Sequence, residues 1–352
     1  MVEPLIIGDL VAKVPIIQGG MGIGVSRSSL ASAVAKAGGI GIISGVQIGY
    51  DEDDFENNCL AANLRALKKH IEIAKANSND GIIGINLMVA MNHYEEFVME
   101  SIKCGVDIII SGAGLPIKLA SLAKDSNVKI CPIVSSAKAA NLILKTWDKK
   151  NNTTADLIVV EGPKAGGHLG YNKNDLENLD SIDYEGEFTN ILEIVKIYEK
   201  KYNKKIPVIA AGGISSGKDV KKFIDMGASG VQVGTRFVTT YECDAHENFK
   251  LAYVNATEKD IQIVKSPVGL PGRAINNKFL EKINSNTPKI AKCYNCLVSC
   301  NPKTTPYCIS TALINAAKGD IDNALLFCGH DAYKINELSS VSQVIDELIS
   351  EL

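Results

Sequence analysis

Residues 206–237 read IPVIAAGGISSGKDVKKFIDMGASGVQVGTRF, and this stretch decides the fold. The opening run IPVIAA is apolar at successive positions, without the alternation of a strand that has one wet face. It therefore reads as a strand buried on both faces. It exits into Gly212 and Gly213. Ser215-Ser-Gly-Lys-Asp then offers helix-starting side chains to VKKFIDM, and Gly227 follows where a left-handed C-cap is wanted. A second buried run, GVQV, ends in Gly-Thr-Arg. The stretch is one strand–helix unit feeding the next strand.

The same grammar runs through the chain. Apolar runs begin near Pro15, Ile40, Gly81, Val106, Lys129, Asp156, Ile206 and Gly230, each rich in Ile and Val. Between them lie LASAVAKA after Ser26, HYEEFVMESIK after Asn92 and AKAANLILKTW after Ser136, with Gly38 and Gly105 at helix ends. Eight such units satisfy the count of a closed (β/α)8 TIM barrel, whereas a doubly wound open sheet usually has fewer strands. The expected fold class is α/β: a TIM barrel over residues 1–258, its last helix near 245–255, then an appendage over 259–352 packed on the barrel. A barrel takes about 250 residues, so a chain of 352 leaves about a hundred for the appendage, which holds a cysteine group and two helical segments. Two connections are long. One, after the second strand, reads as an extended loop and a long helix. The other, YNKNDLENLDSIDYEGEFTN after the sixth strand, is polar and acidic, and reads as an active-site lid or a solvated insertion before the helix ILEIVKIYEKKY.

Hydrophobic residues make up 46% of the chain and charged residues 22%, with 37 basic against 40 acidic side chains. This balance excludes a disordered or fibrous chain and provides no net field toward nucleic acid or an anionic membrane. No secretory signal opens the sequence, and no apolar run approaches the roughly 18 residues of a membrane span. The expectation is a cytoplasmic protein acting on a small-molecule substrate, with a homodimer left open. Nine cysteines without an export signal argue against a disulfide framework. Cys59, Cys104, Cys131, Cys243 and Cys328 are scattered and read as small buried hydrophobes. Cys293, Cys296, Cys300 and Cys308 crowd together.

Strand ends of a TIM barrel build its active site. Here nearly every one exits into glycine or a small polar residue: Gly19-Gly20-Met21-Gly22, Ser44-Gly45, Asn86, Ser111-Gly112, Gly166-Gly167-His168, Gly212-Gly213 and Gly234-Thr235. So many glycines on one rim point to backbone lying close to a large flat ligand. The seventh and eighth exits are where barrels commonly hold phosphate, through exposed N–H groups and the Thr235 hydroxyl. His168, between glycines and after a strand, is the candidate acid or base. His70, His93 and His330 read as structural, and His246 as a helix cap. Arg236 reads either as a phosphate contact or as a rim ion pair. Glu161 and Lys164 read as a salt bridge fixing the histidine loop, with ligand contact the second reading.

QGGMGIG at 18–24, GINLM at 84–88, EGPKAGGHLG at 161–170, IPVIAAGGI at 206–214, and GVQVGTRF at 230–237 followed by ECDAHEN resemble the nitronate monooxygenase (2-nitropropane dioxygenase) family. Its superfamily of FMN barrels also contains the flavin-dependent enoyl-acyl-carrier-protein reductase. The resemblance covers about residues 5 to 255. It implies one non-covalent FMN, with Gly19, Gly20, Met21 and Gly22 along the isoalloxazine ring and Asn86 at its polar edge. Gly166 and Gly167 would also contact the cofactor, and Gly212, Gly213, Gly234 and Thr235 would hold its phosphate. It makes His168 the catalytic residue. The reaction implied is oxidation of alkyl nitronates to carbonyl compounds and nitrite with O2. The alternative is an NAD(P)H-dependent FMN reductase of enoyl-acyl-carrier-protein or quinone substrates. The phrase EG-x-x-AGGHLG and Pro132 look at least as much like the reductase. An IMP-dehydrogenase-like barrel needs a cysteine after the sixth strand, and none lies between Cys131 and Cys243. A non-redox barrel binding a phosphorylated ligand leaves QGGMG unexplained.

The cysteine group has the spacing Cys-x2-Cys-x3-Cys-x7-Cys. Four such thiols could bind zinc or an iron–sulfur cluster, or remain reduced in a small subdomain. A zinc ribbon normally repeats Cys-x2-Cys, and this spacing does not.

Overall fold

The computed structural model describes residues 2–285 and 290–352. Eight parallel strands follow one another around a barrel: β1 (Ile16–Gln18), β2 (Gly41–Ser44), β3 (Ile83–Met88), β4 (Ile108–Gly112), β5 (Lys129–Val134), β6 (Ile158–Glu161), β7 (Val208–Ala211) and β8 (Gly230–Val233). β8 pairs with β1, and Ile17 pairs with Ile40 at the start of β2, which closes the ring. These are the eight runs expected from the sequence.

The absence of polar alternation has a direct packing cause. Along each strand successive residues enter different cores. Ile17, Ile42, Ile108, Ile110, Val159 and Ile209 fill the barrel interior, while Ile16, Ile43, Ile109, Ile158, Val160 and Val208 pack against the helices. The hairpin of Leu5–Ile7 and Leu10–Ala12 plugs one end, placing Leu5, Ile7 and Ala12 in the interior core. Asp9 at its turn pairs with Lys129 at the start of β5, so the plug sits at the N-terminal ends of the strands. The opposite mouth is left for a ligand.

The outer helices include Ser28–Lys36, Cys59–Asn77, Tyr94–Lys103, Ala137–Asn151, Tyr184–Tyr202 and Gly217–Asp225, with a short turn at Leu119–Leu122 that the sequence does not mark. Ser136 and Ser216 cap their helices as expected, Ser216 in a capping box with Asp219. Ser26 does not; its Oγ accepts the Met21 N–H at 2.8 Å. Asp244, distant in sequence, accepts instead from the N–H groups of Arg27, Ser29 and Leu30 at 2.8, 3.1 and 3.1 Å. Asn92 likewise leaves the cap and donates to the Asn295 carbonyl at 2.7 Å. Asp244→Ala removes a cap of three N–H groups and is expected to cost about 1–2 kcal/mol, read as a lower urea midpoint at unchanged m-value.

Two expectations change. The helix Glu247–Val254 forms where the barrel's last helix was expected, yet its Phe249 and Tyr253 pack with Ala316, Ala324 and Cys328. The ring is completed by Val341–Ile349, which lies against Ser28–Lys36 and Gly217–Asp225 and places Val344, Ile345 and Leu348 in the barrel's outer core. Residue 258 therefore does not divide two cores; residues 239–340 form an insertion between β8 and the closing helix. An apolar helix face carries the same pattern whichever layer it joins, so sequence points to the nearer one. The polar stretch after β6 is also not loop throughout, since Lys173–Glu177 is a short helix. From Tyr184 onward it is helical, and the Tyr184 hydroxyl donates to the Val160 carbonyl at 3.0 Å. Among the described residues no helix is long and apolar enough to cross a membrane.

Candidate active site

The free mouth of the barrel opens on a cavity of ≈ 280 Å³. Gly19, Gly20, Met21, Gly22, Asn86, Gly166, Gly167, His168, Gly212, Gly213, Gly234 and Thr235 all line it. The strand ends thus bring together the glycines, the asparagine, the threonine and the histidine that sequence marks for the cofactor and the chemistry. The rest of the wall comes from the insertion, notably Val268, Leu297, Ile309, Phe327 and the turn Cys328-Gly329-His330. His330 is not a remote structural residue of an appendage. Its N–H donates to the Lys164 carbonyl at 3.1 Å, and its ring lines the cavity beside Asp331.

Close approach explains the first glycines. A Cβ on Gly20 would stand 2.3 Å from the Asn86 Cβ, and one on Gly22 would stand 2.2 Å from a Val46 methyl. After β7, Gly212 and Gly213 are left-handed, with φ of 89° and 77°, a conformation that favours glycine.

His168 sits in a two-residue strand, Gly167–His168, paired with Pro271–Ile275 of the insertion. Its Nε2 is 2.7 Å from the Ser266 hydroxyl, and its ring meets Phe327 edge-on at 4.9 Å between centroids. Among the described residues Nδ1 has no hydrogen-bond partner. Protein surrounds the ring even though the cavity reaches it, and burial lowers its pKa to about 4. The imidazole is therefore neutral at physiological pH. If Ser266 donates to Nε2, the proton resides on Nδ1; in the other tautomer Nδ1 offers a lone pair.

Two side chains that sequence underrates support this loop. Arg273 is buried and donates to the carbonyls of Ala165 and Pro163, the second at 2.9 Å, clamping the turn before His168. Glu161, at the end of β6, turns into the cavity rather than to Lys164, and the expected salt bridge does not form. Burial raises its pKa to about 8, with Arg273 opposing the shift, so the carboxyl is largely protonated at neutral pH and can donate a hydrogen bond. Arg236 pairs with Glu347 of the closing helix and also lines the cavity, its buried Nε without a partner among the described residues, so the ion pair forms and a phosphate contact stays open.

These residues fit FMN on structural grounds. A flat ring needs main chain without side chains, which Gly19, Gly20, Gly22, Gly166 and Gly167 supply along the cavity wall. The buried amide oxygen of Gln232, beside Gly19, has no partner among the described residues and can accept from a ring N–H. At the other end, Gly213, Thr235 and Arg236 keep main-chain N–H groups that no described main-chain acceptor takes, as a phosphate requires. The Thr235 oxygen accepts from the Gly329 N–H at 2.9 Å, leaving its own proton to donate.

The four clustered cysteines lie together in the insertion around a separate cavity of ≈ 110 Å³. Among the described residues no three His, Cys, Asp or Glu side chains gather closely enough to grip one ion.

A family model described as nitronate monooxygenase matches residues 4–351. A probable nitronate monooxygenase of Staphylococcus aureus (strain Newman) is 31% identical over 293 residues, covering 77% of each chain. FabK from Thermotoga maritima superposes with a TM-score of 0.72 at 27% identity, covering 96% of this chain and 92% of that one. Nitroalkane oxidase from Streptomyces ansochromogenes, at 20% identity, TM-score 0.70 and coverage of 97% and 96%, shares the fold. With the barrel, the glycine mouth and the histidine loop in place, these matches establish that the chain belongs to the nitronate monooxygenase family and is an oxidoreductase.

Proposed function

We propose that this protein is an FMN-dependent enzyme that oxidises alkyl nitronates to carbonyl compounds and nitrite, with O2 as the final acceptor. The observation that carries the reading is a neutral His168 with one unpartnered ring nitrogen, facing a cavity floored by glycine main chain. Family membership supports it.

Bound FMN would supply the electron-accepting chemistry, as cofactors do in this class. The protein's part is binding and orientation. Gly19, Gly20, Met21 and Gly22 would lie along the ring, Asn86 would meet its polar edge, and Gly212, Gly213, Gly234 and Thr235 would hold the phosphate. The Nδ1–H of His168 would hydrogen-bond the anionic nitronate oxygens without adding a charge. In its other tautomer the same nitrogen would receive the α-proton of a neutral nitroalkane. Ser266 and Phe327 fix the ring for either role. The apolar wall of Leu297, Ile309 and Phe327 excludes water and receives the alkyl group.

One feature favours a second reading, the NAD(P)H-dependent reductase: that wall continues through Leu313 and Leu325, a longer apolar surface than a small nitroalkane covers. Aerobic assays of the FMN-loaded protein separate the two. Nitrite released in step with O2 consumed from a primary alkyl nitronate supports the first; its absence, with NAD(P)H oxidation driven by an enoyl thioester or a quinone, overturns it.

Glu161 gives a pH signature. An acid whose folded pKa is raised stabilises the fold fully below its ordinary value of 4.5, and that contribution is lost as pH rises through about 8. Glu161→Gln is therefore expected to flatten the fall of the urea midpoint across that window. An unchanged slope would remove the buried acid.

A further inference from the structure

We propose that Cys293, Cys296, Cys300 and Cys308 bind an iron–sulfur cluster in the small cavity they line beside the candidate active site. The site is separate from the flavin mouth, so the proposal stands or falls independently of the nitronate reading.

All four side chains border one cavity of ≈ 110 Å³ within the insertion, and all four are free thiols. That volume exceeds what a single ion fills, since even a water molecule takes about 30 Å³ of liquid. No three of the thiols converge on one point, which disfavours a tetrahedral zinc with sulfurs at about 2.3 Å. In a cluster the ligands need not share a metal: each thiolate binds its own iron, or a pair shares one, and inorganic sulfide fills the space between. The spacing agrees. Three cysteines in a Cys-x2-Cys-x3-Cys run with a fourth further on is closer to cluster-binding runs than to the paired Cys-x2-Cys of a zinc ribbon.

The surroundings suit an anionic centre. Cys308 occupies the N-cap position of the ten-residue helix Ile309–Lys318, and its side chain makes no capping bond. That end of the helix carries the positive pole of its dipole, which favours an anionic ligand nearby. The Asn295 N–H points at the Cys293 sulfur at 3.4 Å, with Asn295 in a left-handed turn at φ 48°. The buried Thr305 hydroxyl lies beside Cys300, where it can donate to a sulfur. The loop is held by the barrel: the Cys296 carbonyl accepts from the Asn92 N–H at 3.0 Å, and the Val298 N–H donates to the Ala90 carbonyl at 3.0 Å. Cys296 borders both cavities, so a cluster here would adjoin the flavin site.

The test uses full-length, FMN-loaded protein purified anaerobically and, in a parallel arm, reconstituted with ferrous iron and sulfide. Iron and acid-labile sulfide in equal amounts, more than one of each per chain, with a paramagnetic resonance signal after reduction, is the expected result. Cys300→Ser and Cys308→Ser should each lower bound iron by ~10-fold or more with flavin content unchanged, while Cys104→Ser keeps it. Zinc without iron, or neither metal in both arms with the four thiols titrating freely, would overturn the proposal. Because the unmutated protein decides between these outcomes, misfolding of a serine variant does not obscure them.

Discussion

Replacement of His168 by Asn is expected to slow nitronate turnover by ~10²–10⁴-fold while flavin content stays at the unmutated level. The expectation follows from what the ring touches. Ser266 occupies Nε2 and Phe327 braces the ring edge, so Nδ1 alone is left for the ligand. An asparagine amide is shorter and cannot reproduce both contacts. The glycine main chain that would hold FMN is untouched. The pH dependence separates a ligand-facing role from a structural one. A histidine whose pKa is lowered to about 4 stays neutral above its ordinary value of 6.5, and stability held by the neutral ring is lost as pH falls through about 4. Turnover should therefore run level from pH 7 down to about 5 as far as His168 governs it, and unchanged turnover in the variant would remove His168 from the reaction.

Arg273→Leu is expected to cost about 2–4 kcal/mol of stability and to weaken FMN binding by ~10-fold or more. Among the described residues the guanidinium is the only side chain donating to the carbonyls of Pro163 and Ala165. Leucine would leave both acceptors buried and unpaired. Part of that loss is offset, because burial already lowers the Arg273 pKa and its charge is poorly solvated. The remainder falls on the turn that positions Gly166, Gly167 and His168. Arg273→Lys should not restore the unmutated values, since an ammonium cannot span two carbonyls as a planar fork does. Chemical denaturation gives the first quantity and flavin fluorescence titration the second. Near-native values for both would mean the turn holds itself.

The barrel is legible in the sequence because its signal is local. Ile108-Ile-Ile alternates between the interior and the outer core, so both faces demand apolar residues and no other element explains the run. The glycine rim is legible for a similar reason, since Gly20 and Gly22 mark places where neighbouring strands leave no room for Cβ. What stays hidden depends on docking across long sequence distances. Gly166 must be glycine because the main chain of Cys328 and Gly329 lies on it, a contact no local pattern announces. Arg273 has only its scarcity to recommend it, and Glu161 looks like half of a surface pair until burial of its carboxyl is visible. Val341–Ile349 is recognisable as a helix but not as the barrel's closing one, because its apolar face fits a barrel and an appendage equally.

FMN held in this mouth and reduced by an alkyl nitronate is the central claim. The most direct measurement mixes FMN-loaded protein anaerobically with an alkyl nitronate, NADH or NADPH in separate trials and follows loss of the flavin absorbance. Rapid bleaching by the nitronate and slow or no bleaching by either nicotinamide is the predicted result. Rapid bleaching by NADH or NADPH alone, or protein that remains colourless after incubation with FMN, would contradict it.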